Sequence, residues 1–310
     1  MNYRLLPALA TLTLAACVPG GATPAPTPAP PPAPTTVWDF RVTSTATGED
    51  VSLPTLLGRV AGADVVFFGE FHDDAETHRA ELALLSAIGE LGRPVVLSLE
   101  MFETDVQGVL TDYLAGRISE ADFLERSRPW GNYGTDYRPL VELARFRGWP
   151  VVAANVPRPW ASAVGREGLA ALDSLTPFER SHAATDIACP DDAYRARFMQ
   201  AMGGHGDAGS GVPADMAERF YLAQCLKDET MAESIVNALR MAPTGAILVH
   251  YNGAFHSDFG LGTASRVARR EASWDILVLT AVPSPDPAAA DVRPHAERAE
   301  FVIFTQGEAR

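Results

Sequence analysis

The sequence predicts an α/β fold: a mainly parallel sheet flanked by helices, with an all-helical lid subdomain inserted into it. Apolar runs of strand length alternate with stretches of helical periodicity, the order expected of a parallel sheet. Several of those runs end in polar residues, as strands do at the ligand-binding edge of such sheets. Between Trp160 and Met241 no strand signal occurs, so helices alone interrupt the sheet. The expected core is therefore residues 37–159 with 242–310, and the expected lid is residues 160–241.

Composition sets the outer limits. The 310 residues suffice for a sizeable core, and 47% hydrophobic with 21% charged residues is ordinary for a globular chain. The net charge is −14, from 25 basic and 39 acidic residues, and Lys227 is the only lysine. Binding to a phosphate backbone needs clustered Lys and Arg, so nucleic acid is not an expected partner.

At the N-terminus Arg4 supplies a positive charge and Leu5 to Leu14 an apolar stretch too short to span a bilayer. Leu14-Ala15-Ala16-Cys17 then places small residues before a cysteine. This resembles a bacterial lipoprotein signal, implying cleavage of residues 1–16 and lipid on the Cys17 thiol. Val18 in the next position implies sorting to an outer membrane. The other reading is an ordinary signal peptide with an incidental cysteine. Residues 17–36 are rich in Pro, Ala and Thr, a composition for an extended tether rather than a core. Cys189 and Cys225 remain beyond it, either as a disulfide in an oxidising compartment or as buried thiols.

In chain order, Trp38 to Val42 and Glu49 to Leu53 read as short strands, and Leu53 to Val60 as a short helix. Val65 to Phe68 is a strong strand that runs into Gly69-Glu70-Phe71-His72. Glu76 to Leu91 has helical spacing at Leu82, Leu85 and Ile88, with Asp73 and Glu76 placed as a capping box and Gly92 as the stop. With the strand Pro94 to Leu99, which ends in Glu100, this forms a βαβ unit. Thr104 to Leu114 and Ser119 to Arg126 are helices, Trp130 to Tyr137 an aromatic loop, and Arg138 to Arg147 a helix closed by Gly148. Strand Val151 to Ala154 ends in Asn155-Val156-Pro157-Arg158.

The lid contains helices at Asp191 to Met202 and Asp215 to Met241, the second opened by a possible capping box of Asp215 and Glu218. The sheet resumes with Ala246 to His250, a helix at Gly260 to Arg270, strand Ile276 to Ala281, and Phe301 to Phe304 as an edge strand.

Chemistry concentrates at the strand ends. Glu70 and His72 lie two residues apart and share a face if the chain stays extended. Such a pair suits a divalent metal, or a general base beside a polarising group; it equally suits a carboxylate bonding the next helix's amides. Gly253-Ala254-Phe255-His256 repeats the pattern after a second apolar run, which argues for one shared site holding Glu70, His72 and His256. Glu100 is a candidate opposing carboxylate, or the salt-bridge partner of Arg158. Asn155 and Asn252 would orient a ligand or satisfy loop backbone. His250 reads as a core residue, His78 and His295 as surface residues without a role. His205 stands among five glycines, with Met199, Met202, Tyr221 and Met231 nearby, surroundings that suit haem; the alternative is a surface loop. No Cys-x-x-Cys-His or Gly-x-Ser-x-Gly occurs, against covalent haem attachment and an ordinary serine hydrolase.

These motifs resemble a known family. Gly69-Glu70-Phe71-His72, Glu100-Met101-Phe102, Asn155-Val156-Pro157, Gly204-His205-Gly206, Ala223-Gln224-Cys225 with Asp228-Glu229-Thr230-Met231-Ala232, and Gly253-Ala254-Phe255-His256 are similar to those of the ChaN haem-binding lipoproteins. That family sits in a superfamily with TraB and Tiki proteins and erythromycin esterase-like enzymes. The resemblance spans Val37 to Thr305 and implies haem held as a cofacial pair by a homodimer, in iron or haem acquisition. It leaves Tyr221, Tyr251 and His205 as candidate iron ligands, with Asn155, Arg158 and Asn252 also facing the cofactor. The Tiki branch implies a rival, metal-dependent hydrolysis with Mn, Co or Zn on His72 and His256, and Glu70 or Glu100 as base.

Overall fold

The computed structural model describes residues 37–204 and 212–308. The expected signal segment, Cys17 with the expected tether, and His205 lie outside the described residues. In chain order the strands and helices are β1 (Arg41–Ser44), β2 (Asp50–Val51), α1 (Leu53–Val60), β3 (Val65–Glu70), α2 (Ala75–Ile88) and β4 (Val95–Glu103). Next come α3 (Gln107–Leu114), α4 (Glu120–Ser127), α5 (Arg138–Arg147), β5 (Val151–Asn155), α6 (Arg158–Glu167), α7 (Pro177–Arg180), α8 (Ala193–Gly204) and α9 (Ala214–Met241). The chain closes with β6 (Ile247–Gly253), α10 (Gly262–Arg270), β7 (Ile276–Ser284) and β8 (Phe301–Gln306).

The eight strands form one sheet in the order β2-β1-β8-β7-β3-β6-β4-β5. Pairings from β8 through β5 are parallel, and only β1 runs antiparallel to its neighbours. The α/β class with a mainly parallel sheet is as expected. Two details differ. β8 is not an edge: β1 pairs with it from the far side. β3 and β4 are parallel but not neighbours, because β6 lies between them. Chain order does not reveal which strand returns to fill that gap.

Strand alternation sorts the core into two layers. Val66 and Phe68 face one layer with Leu84, Leu85 and Ile88 of α2 and Leu140, Val141 and Ala144 of α5. Val65 and Phe67 face the other, with Ile235 and Val236 of α9 and Val267 of α10. Along its 28 residues α9 thus begins among the helices above the strand ends and finishes against the sheet. The exposed side of edge strand β5 is occupied by Gln107: its amide donates to Val151 O at 2.9 Å and accepts from Ala153 N at 2.7 Å. A side chain thereby stands in for a missing strand, one way of blunting an edge.

Helix starts show where short-range signals mislead. α2 is capped by Asp74 rather than Asp73, its carboxylate accepting from Glu76 N and Thr77 N at 2.9 and 3.0 Å. α4 has its capping box, Ser119 with Asp122. α9 has none: Asp215 binds Arg219, and Glu218 binds Arg195 of α8. Cys189 and Cys225 are free thiols in hydrogen-bonding contact, a contact that lowers the pKa of Cys189 and raises that of Cys225.

Candidate functional site

β3 and β6 are hydrogen-bonded neighbours, with Glu70 level with Gly253. The two Gly-x-x-His motifs interlock there. A Cβ on Gly253 would lie 2.7 Å from His72 Nε2, and a Cβ on Gly69 would lie 2.9 Å from Ala254 Cα. Each motif's glycine therefore makes room for the other motif. Gly253 has φ −51°, so it serves for closeness and not for an unusual backbone.

Glu70 positions His72. Its Oε1 lies 2.6 Å from His72 Nδ1 and also accepts the Tyr137 hydroxyl. Burial disfavours the Glu70 charge, yet hydrogen bonds with His72 and Glu81 and the nearby His78 bring its pKa below the usual value. Burial likewise opposes protonation of His72, but Glu70 and Glu100 raise its pKa. The His72 carbonyl is held by Asn132 Nδ2 at 2.6 Å and His78 Nε2 at 3.1 Å, fixing the backbone where β3 ends.

His256 sits between two carboxylates. Nδ1 is 2.7 Å from Asp228 Oδ1 on α9, and Nε2 is 3.3 Å from Glu100 Oε1 on β4. Burial alone would push the imidazole down, but Glu100 and Asp228 raise it to about 10. Glu100 also accepts Gly253 N at 2.8 Å, and despite burial the His256 charge holds its carboxyl well below the ordinary range. Glu100 therefore pairs with His256, while Arg158 lies 4.0 Å from Glu103 instead.

Above these strand ends lies a cleft of about 690 Å³. His72, Glu100 and Asn155 form its floor, and Phe198, Met202 and Phe220 of α8 and α9 bring apolar surface from above. Arg158, Arg166 and Lys227 line it too. Lys227 makes no ion pair or hydrogen bond among the described residues; its charge acts on Glu100.

The remaining candidates lie elsewhere. The Tyr221 hydroxyl donates to Pro190 O at 2.8 Å inside the packing of α8 and α9. Strand alternation sends Tyr251 to the α2 side of the sheet, where its hydroxyl donates to Glu81 O at 2.9 Å. Asn252 is buried and donates to Gly253 O and Ser257 Oγ. His250 is a core residue as expected, 2.9 Å from Ser98 Oγ, and burial pushes it down to about 4.

His78 is not a surface residue: it is 3% exposed and faces Glu81, also buried, at 2.8 Å. His78 and Glu81 at i and i+3 on α2 were hidden by their polarity, because an amphipathic pattern assigns such residues to solvent. Asp228 escaped for the same reason, although it stands beside Glu229 in a motif already singled out.

The fold and the sequence have counterparts among known proteins. Cofacial heme binding to ChaN of Campylobacter jejuni is the subject of one solved structure that shares the fold, with a TM-score of 0.62 at 13% identity over 88% of this chain and 99% of that one. A mutant of the erythromycin esterase EreC in its open conformation is more distant, with a TM-score of 0.45 at 14% identity over 86% and 83% of the two chains. No curated protein matches the sequence. Residues 56–267 match the family described as haem-binding uptake, Tiki superfamily, ChaN, and this chain belongs to that family.

Proposed function

We propose that the protein binds haem in the cleft above the strand ends and serves haem or iron handling in the cell envelope. The observation that carries this is the cleft's composition: an apolar face from Phe198, Met202 and Phe220, an imidazole at the floor, and Lys227 without a partner among the described residues. Haem is a flat apolar ring with two carboxylates and an iron that takes imidazole or thioether ligands. The apolar residues would cover the ring, and Lys227, Arg158 and Arg166 would meet the carboxylates. His72 would face the iron, its Nδ1 already oriented by Glu70 in the manner of a carboxylate behind a metal-bound histidine. When bound, haem would supply iron as cargo or as a redox centre.

Family membership supports the same ligand, and the cofacial binding described for ChaN of Campylobacter jejuni supports a homodimer around two haems. Cys17 would carry the lipid that holds the protein to the outer membrane, with residues 18–36 as tether.

Absorption titration with hemin tests the proposal. The wild type should give a saturable Soret shift, and Lys227→Ala should weaken binding about tenfold, the worth of one charge-assisted contact. Gly253→Ala keeps an allowed backbone but places a methyl where His72 Nε2 lies, so it should alter the Soret spectrum while the chain stays folded. A wild type with no Soret shift would sink the reading.

A second reading keeps the cleft as a hydrolase site. Its support is the Glu70–His72 pair, whose geometry is that of an oriented general base. His256 is held protonated between Glu100 and Asp228, so it offers no free lone pair to a metal at neutral pH. Ester hydrolysis that survives chelators and disappears in His72→Ala would favour it.

A further inference from the structure

Behind His72, at the junction of β3 and α2, three buried side chains converge. Ligand atoms of Glu70, His78 and Glu81 all lie within 4.8 Å of one another. The exposures of these residues are 3%, 3% and 0%. Among the described residues Glu70 Oε2 and Glu81 Oε1 accept from no N–H or hydroxyl group, and the two carboxyl groups lie in hydrogen-bonding contact with each other. Glu70 uses its other oxygen for His72 and Tyr137, so Oε2 is the atom turned to the cluster.

The tautomer of His78 follows from its partner. Nε2 lies 3.1 Å from the His72 carbonyl, which can only accept, so Nε2 carries the proton. Nδ1 then faces Glu81 Oε2 at 2.8 Å and Glu70 Oε2 at 3.9 Å. Ring nitrogen and carboxylate oxygens converge where a proton or a metal ion is needed to hold them together. A ring N–H given to a backbone carbonyl, with the second nitrogen aimed at a carboxylate cluster, is also the usual outer support of a metal-bound histidine.

We propose that Glu70, His78 and Glu81 bind a divalent cation of the Mn²⁺ or Zn²⁺ kind behind the cleft floor. One imidazole and two carboxylates suit such borderline ions, and two negative charges would be neutralised by one ion. This site differs from the His72 and His256 set that the Tiki resemblance implies, and it does not depend on haem. Its effect on the cleft runs through Glu70: an ion on Oε2 fixes the carboxylate that orients His72.

The test uses the full, untagged chain in detergent, stripped with EDTA and titrated with Mn²⁺ or Zn²⁺ alone, without haem. One equivalent should bind per chain and raise the melting temperature by about 5 °C at saturation. Glu81→Gln should abolish both effects, while its amide can still donate to Glu70 and preserve the fold; His78→Gln serves if that variant does not fold. His72→Ala should keep the metal. The proposal is overturned by a wild type that binds less than stoichiometric metal, by a Glu81→Gln variant that binds as well, or by loss of metal in His72→Ala. In the first case a shared proton fills the cluster, and Glu81→Gln would match the wild type in stability without metal.

Discussion

His256 is the residue at which the cleft's charges meet. Asp228 reaches it from α9 and Glu100 from β4, so its proton links the lid helix to the sheet. A histidine raised to about 10 contributes stability that is fully present below its unfolded pKa of about 6.5 and is lost as pH rises through the folded value. Urea unfolding of the wild type and His256→Gln should therefore differ by a few kcal/mol at pH 7, an order of magnitude set by the size of the shift. Between about pH 9 and 11 the difference should shrink as the wild-type proton leaves. A gap that stays constant across that range would show that His256 is not charged at neutral pH.

At the scale of elements, α9 is held to α10 by a buried cluster. Glu229 is 0% exposed and faces Arg266 at 3.2 Å, Arg269 at 2.6 Å and Arg270 at 2.6 Å. Removing the carboxylate would leave the Arg266 charge, 2% exposed, with only the more distant Asp228 carboxylate at 3.9 Å to balance it among the described residues. Glu229→Gln should therefore cost about 3–5 kcal/mol, the range for breaking a buried pair, read as a fall in urea midpoint. Because α9 also supplies Gln224, Lys227 and Asp228 to the site, hemin affinity should fall with it. This coupling was only half legible in the sequence. Asp228 and Glu229 stood out as part of a motif, yet neighbours on a helix point to different partners, here His256 and the α10 arginines. The bounds expected for α1 and α5 are those observed, and the Gly148 stop after α5 is a local signal. The place of β8 inside the sheet depends on β1, far away in sequence, and no local signal encodes it.

For the whole molecule, the strand-end rule made the site legible before the fold was known: parallel strands deliver Glu70, His72, Glu100 and His256 to one end because all point the same way. What it could not supply was depth, since Tyr251 and Asn252 follow the same apolar run but alternate into the interior. The N-terminal segment adds a separate prediction. If Cys17 carries the lipid as proposed, the Pro-rich composition of residues 18–36 offers nothing to the cleft's lining, so anchoring and ligand binding should be independent. Cys17→Ser should move the protein from the membrane fraction to the soluble fraction of the expressing cells, while the hemin titration of the purified chain stays unchanged. Altered hemin affinity in that variant would mean that the membrane end contributes to the site; retention in the membrane fraction would mean that something other than lipid on Cys17 holds the protein there.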